Sequence, residues 1–300
     1  MSTHTPAHAS AAPAGPAPVR TVVGTAPAGP APRPAGPRIQ GRQTILRSVR
    51  AEWIKFWSLR STWITSFITI ALTVLFGAGL TAILGRTEEY QDTAKDLITQ
   101  GLAFGQIVVA VLGALIITGE YSSGQIRSSL AAVPKRGRLL MAKAVVLAIV
   151  SFLLGSLSVF LSWAISKPFI GEHAGSLTDS HYAGYIWGSG LVFAVIALMA
   201  LGLGFLLRST AGTITVIVSL LFVITAPLQL AASKWDWVYK IIGCLPSTVS
   251  EAVSDPFQRT TEWGGQGAQF LTHGQAIAVF AAWALIPLIA AWFVFSRRDA

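Results

Sequence analysis

Side chains able to ligate a metal or move a proton are few in this sequence and poorly grouped. Glu172, His173, Asp179 and His181 fall within ten residues of one another. Metal-ligating types are present there, but not the tight spacing that structural metal sites use, so a solvated loop is the expectation. The sequence contains no glycine-rich phosphate loop closed by Gly-Lys-Ser or Gly-Lys-Thr, no H-E-x-x-H pair and no G-x-S-x-G elbow. No carboxylate or histidine stands in the interior of the long apolar runs, at membrane depth, where a proton relay would need one. The single cysteine, Cys244, cannot form an intrachain disulfide and is expected to be a packing residue. Catalysis by this chain is therefore not expected, and neither is a cofactor or metal held by it.

A different chemistry, protein docking, is suggested by residues Gly119 to Lys143, GEYSSGQIRSSLAAVPKRGRLLMAK. Ser122 and Gln125 have the spacing of a capping box. Ile126, Leu130 and Val133 then recur at helical spacing, and Pro134 stops the helix. Lys135, Arg136, Arg138 and Lys143 form a basic cluster behind it. These features predict a short amphipathic helix lying along the membrane, placed to receive a push from a soluble partner. A loop that only sets topology through its charge is the alternative.

The elements around this segment follow from charge segregation. The chain has 300 residues, of which 53% are hydrophobic and 12% charged. That is too apolar for an ordinary soluble domain. Six charge-free stretches occur, at 61–85, 97–119, 144–166, 180–207, 209–233 and 263–296. Each is long enough to cross a bilayer core, which takes about 20 residues. The expected fold is therefore an all-α polytopic membrane protein. Its six transmembrane helices fall at about 64–84, 97–118, 144–166, 185–207, 213–233 and 276–296. With the N-terminus in the cytoplasm, sixteen of the 22 basic residues but only three of the 13 acids lie inside. The positive-inside bias thus puts both termini in the cytoplasm, with the protein in the inner, cytoplasmic cell membrane. The net charge of +9 reports topology and contact with anionic lipid rather than nucleic-acid binding.

Residues 1–42 are rich in Ala, Pro and Gly and are expected to form a disordered cytoplasmic tail; the transmembrane domain then occupies 43–300. Residues 43–60 predict an amphipathic helix with Trp53, Phe56 and Trp57 on its apolar stripe, suited to the headgroup layer. In the first span, Ser61, Thr65, Thr69, Thr73, Gly77 and Thr81 recur at an unbroken step of four. Such a small-residue seam packs against a neighbouring helix. Thr65, Thr69, Thr73 and Gly77 are also candidates for a dimer seam or a substrate pathway. Pro227 is expected to kink or end the fifth span. The 42 residues from Lys234 to Gln275 are expected to contain short helices, at Trp237–Leu245 and Thr248–Val253, lying on or dipping into the outer leaflet before span six.

Two strings carry a family resemblance. RAEWIKFWSLRSTW (50–63) resembles the elbow helix that opens permease subunits of ATP-binding-cassette transporters of the ABC type-2 class. GEYSSGQIRSSLAAVPKRGRLLMAKAVV (119–146) resembles the loop between the second and third spans of that class. The resemblance implies a non-catalytic transport subunit that moves, and most often exports, a substrate. Its loop would carry a cytoplasmic coupling helix docking on a separate ATPase, with Glu120 as the acidic residue at its start and Tyr121, Ser122, Gln125, Ile126, Arg127 and Leu130 within it. Two permease chains would pair as a homo- or heterodimer, with ATP and Mg bound by the ATPase subunits, and the segment before span six would match re-entrant outer helices. The N-terminal tail lies outside the resemblance. A membrane sensor or assembly factor using the same loop only for protein binding is the competing function. Spans free of charged side chains suit an apolar or amphipathic cargo.

Overall fold

The computed structural model describes residues 44–85, 87, 97–171, 175–176, 180–254 and 271–297. These residues are mainly helical, with no strand among them. In chain order the helices are α1 (Ile45–Ser58), α2 (Arg60–Leu84), α3 (Leu102–Ser122), α4 (Ile126–Ala132), α5 (Arg136–Ile170) and α6 (Ser180–Leu207). They are followed by α7 (Thr210–Val218), a π turn at Ser219–Val223, α8 (Thr225–Ala232), α9 (Val238–Gly243), α10 (Pro246–Ser254) and α11 (His273–Arg297). Six of these segments are long and apolar enough to cross a membrane: α2, α3, α5, α6, α7–α8 taken together, and α11. The protein is a multi-pass membrane protein. The proposed tail at 1–42, the acidic residues near 90, and Glu172, His173 and Asp179 lie outside the described residues, as does the side chain of His181.

The most enclosed span, α6, packs against α3, α5 and α11. Val192, Phe193, Ile196, Ala197, Met199, Ala200 and Leu201 are all fully buried along it. A helix that is apolar all round belongs in such a position. Conversely, α7 and α8 form the least buried span. Within that span the π turn closes with Ile224 N–H donating to Ser219 O at 2.9 Å. It lies just ahead of Pro227, the third residue of α8, which has no N–H to return to Val223. The widened turn accommodates the proline, so the span continues to Ala232 instead of ending at Pro227.

The hydroxyl seam of α2 decides how α2, α3 and α5 meet. Thr69, Thr73, Gly77 and Thr81 are all buried within this one chain. Each threonine returns its hydroxyl to the carbonyl four residues earlier, as in Thr73 to Thr69 O at 2.7 Å and Thr81 to Gly77 O at 2.7 Å. Their hydroxyl groups are thereby satisfied within α2. At Gly77 a β-carbon would stand 2.5 Å from Ile98 O and 2.9 Å from Ser162 Oγ. The close approach of three backbones therefore requires a glycine there. Thr69, Thr73 and Gly77, three of the candidates for a dimer seam or pathway, are thus buried by packing inside this chain. Thr65 is half-buried and bonds to Ser61 O at 2.7 Å. The free face of α2 carries Phe67, Leu75 and Ile83 instead.

Two short helices precede the last span, as the apolar pieces of 234–275 predict. Val249, Ala252 and Val253 of α10 are fully buried, and α10 packs on α6 and α11. Polar links hold this cap in place: Gln106 Nε2 donates to Ser250 Oγ at 3.3 Å, and Trp283 Nε1 to Cys244 O at 2.8 Å. Residues 255–270 of the same segment lie outside the described residues.

Candidate functional site

At the end of the bundle away from α10, α1 lies against α5 and turns into α2 at Leu59, whose backbone is extended (φ −88°, ψ 125°). Thr62 stabilises the turn from inside. Its hydroxyl lies 2.6 Å from Phe56 O and 2.6 Å from Leu59 O, at the junction where α1 ends and α2 begins. Phe56 is buried, Trp53 is partly buried against the core, and Trp57 is exposed. Trp57 contacts the Trp63 ring at 4.8 Å, and Trp63 Nε1 donates to Trp57 O at 3.0 Å. The apolar stripe expected of residues 43–60 is thus divided between core and membrane-facing surface.

The polar face of α1 contributes the more consequential feature. Glu52 and Lys55 of α1, Glu120 of α3 and Lys143 of α5 form one ion network. Lys143 bonds Glu52 Oε2 at 2.8 Å and also contacts Glu120 Oε1. Lys55 Nζ reaches the same Glu120 oxygen at 2.5 Å. The side chains of Lys143 and Glu120 are 1% and 3% exposed. Burial of charge at that depth is tolerable only because two carboxylates meet two ammonium groups. The network borders a cleft of about 340 Å³ walled by Phe56, Leu112, Leu115 and Ile116.

The far side of the same α3 end is held differently. The Arg208 guanidinium stands 4.9 Å over the Tyr121 ring, a cation–π contact. Thr210 donates to Thr118 Oγ1 at 2.6 Å. Arg208 adopts φ 51°, a left-handed conformation that ends α6 and costs a non-glycine residue energy. Ser209 then caps α7 by accepting from Gly212 N–H at 3.2 Å. The last turn of α3, Thr118 to Tyr121, is therefore joined to α1 and α5 on one flank and to the α6–α7 turn on the other.

Beyond this turn the chain breaks at Ser123–Gly124, where Gly124 takes φ +70°, and α4 begins. The expected capping box does not form. Ser122 is still the last residue of α3, and its hydroxyl returns to Gly119 O at 3.1 Å. Gln125 is itself the cap residue of α4 and makes no side-chain cap bond. The physical reason is that α3 runs three residues past the charge-free stretch, because Glu120 and Tyr121 find partners there. The apolar stripe of α4 is as expected: Ile126 and Val133 are buried and Leu130 partly so. Ser122, Gln125 and Arg127 are exposed. The structure thus divides the coupling-helix candidates into an outward set, Ser122, Gln125 and Arg127, and an inward set, Glu120, Tyr121, Ile126 and Leu130.

Sequence reasoning missed Lys143, Glu52, Lys55 and Thr62 as site residues. Lys143 gave a signal: it is a single charge among Leu139, Leu140, Ala142, Val145 and Val146. Among the described residues no group of three or more His, Cys, Asp or Glu could hold a metal ion.

The sequence matches the family model for the ABC-2 family transporter protein over residues 48–236. The chain belongs to the ABC-2 transporter family. No curated protein matches it. The matched region runs from α1 to just before α9 and includes every residue of the α1–α3–α5 junction. As an ABC-2 family protein, the chain is the permease component of an ATP-binding-cassette transporter, and membership implies an ATP-binding-cassette ATPase as partner.

Proposed function

We propose that this ABC-2 permease works as an exporter driven by ATP, with Mg, on a separate ATPase pair, and that α4 is the docking helix. The carrying observation is the placement of α4. Together with the turn that leads into it, α4 exposes Ser122, Gln125 and Arg127 while hanging from the end of α3, which is tied to α1, α5 and the α6–α7 turn. A displacement of α4 pulls on the end of α3 through the short Ser123–Gly124 turn. It acts on the Glu120 network, and through Lys143 and Lys55 it turns α5 and α1 together with α3. In this reading α4 and both termini face the cytoplasm of a cell whose inner membrane holds the protein. Two such chains pair, as a homodimer or with a related chain, and cargo passes between them. The charge-free spans support an amphipathic or apolar cargo.

The test is a mild-detergent pull-down of the tagged chain from its own host, followed by ATPase measurement. The wild type should bring down an ATPase. Arg127→Glu, an exposed change on α4, should lose it while the chain stays folded. Glu120→Gln should retain the ATPase but reduce transport-linked hydrolysis. Full recovery and normal hydrolysis with Arg127→Glu would remove α4 as the docking helix.

A further inference from the structure

A second groove opens at the same end of the bundle, between the start of α5 and the last turns of α11. It encloses about 560 Å³, within the range of small-molecule sites, roughly 300–1,000 Å³. Its walls are two helical stripes. Gly137, Met141 and Ala144 line it from α5, and Leu285, Ile289 and Trp292 from α11. Met141, Leu285, Ile289 and Trp292 are each about half exposed, at 54%, 53%, 51% and 47%, so no side chain among the described residues fills the groove. From Trp292 down to Leu285 the apolar wall extends about 10 Å along the helix axis. Trp292 stands against Gly137, where a β-carbon would collide with its indole. An indole at the polar mouth of an apolar groove is what the bilayer interface favours.

The mouth is basic. Lys135 and Arg138 line it, and the first turn of α5 contains no acid. The described carboxylates at this end are Glu52 and Glu120, and both are held by Lys143; Asp236 and Glu251 belong to the opposite, α9–α10 end. The α1 end therefore carries net positive charge. The positive end of the α5 dipole adds to it. An anion at the mouth and a hydrocarbon chain below is the shape and charge of one class of molecule. We infer that the α5–α11 groove is a binding site for an anionic glycerophospholipid of the adjoining leaflet. Its phosphate lies by Lys135 and Arg138 and one acyl chain runs between Met141 and Ile289. The site is separate from the Glu120 junction and does not rest on the docking role of α4.

Native mass spectrometry of the full chain, given equal amounts of phosphatidylglycerol and phosphatidylcholine with identical chains, tests this. The wild type should retain phosphatidylglycerol preferentially. Lys135→Gln with Arg138→Gln should reduce that preference about tenfold or more. Ile289→Trp, which fills the groove at a half-exposed position, should lower retention of both lipids. Arg50→Gln, which removes one charge from exposed α1, should change neither. An undiminished preference in the Lys135/Arg138 double variant overturns the assignment. So does an equal loss with Arg50→Gln, which would mean diffuse attraction to the whole surface. Displacement of the lipid by excess glycerol phosphate would also overturn it, by showing a bare-anion site with no use for the groove.

Discussion

Glu120→Gln is the most informative single change in this protein. In the native chain one Glu120 oxygen receives both Lys55 and Lys143. Neutralising it leaves Lys143, 1% exposed, with Glu52 alone, and leaves Lys55, 23% exposed, to turn toward water. The cost therefore falls on Lys143. Removing one member of a buried pair typically costs about 3–5 kcal/mol, and Glu52 should offset part of it, so a loss of about 2–4 kcal/mol is expected. Lys55→Met should cost less, about 1 kcal/mol, because Glu120 keeps Lys143. The discriminating variant is Glu120→Gln combined with Lys143→Met, which removes both buried charges. If the cost comes from stranding a charge, the double variant should be more stable than the sum of the singles by about 2 kcal/mol. Unfolding free energies from reversible detergent titration, followed by tryptophan fluorescence, give the cycle. Strict additivity, or a Glu120→Gln variant within 0.5 kcal/mol or so of wild type, would refute the buried-network argument.

Three further outcomes are expected. Gly77→Leu should abolish or severely reduce folded protein, since its side chain would enter the backbone of Ile98 and the Ser162 side chain. Gly79→Leu, where nothing stands within 4 Å, should express normally, and size-exclusion yield of the two compares them directly. Thr62→Val should lose about 1–2 kcal/mol by leaving Phe56 O and Leu59 O without their hydroxyl donor, read in the same detergent titration. Trp283→Phe should loosen the α9–α10 cap by removing the bond to Cys244 O, seen as faster amide exchange of α10 with α3 unchanged.

How much of this could be read without coordinates depends on the range over which each force acts. The six spans follow from the charge-free stretches, because a bilayer rejects charge one residue at a time and composition alone records the result. The amphipathic faces of α1 and α4 follow from helical periodicity, and so does the buried Ile126 and Val133 of α4. The resemblance of residues 50–63 and 119–146 pointed to the family that the match over 48–236 shows. What local pattern could not supply is which polar side chain meets which. Lys143 reads as one of four basic residues behind Pro134, and Glu52 and Lys55 as solvated charges on the polar face of α1. Only the packing of α1 on α5 brings Glu52 within 2.8 Å of a lysine 91 positions away. The α2 seam shows the same limit. Its step of four foretells close packing, but not against which helix. The fold assigned it to Ile98 and Ser162 of this chain and left Phe67, Leu75 and Ile83 on the free face. Composition and period determine what must leave water and in which helix, since those costs belong to single residues and single turns. Pairing of charges, close approach of backbones and the shape of a groove are properties of two or more segments, and they exist only once those segments have met.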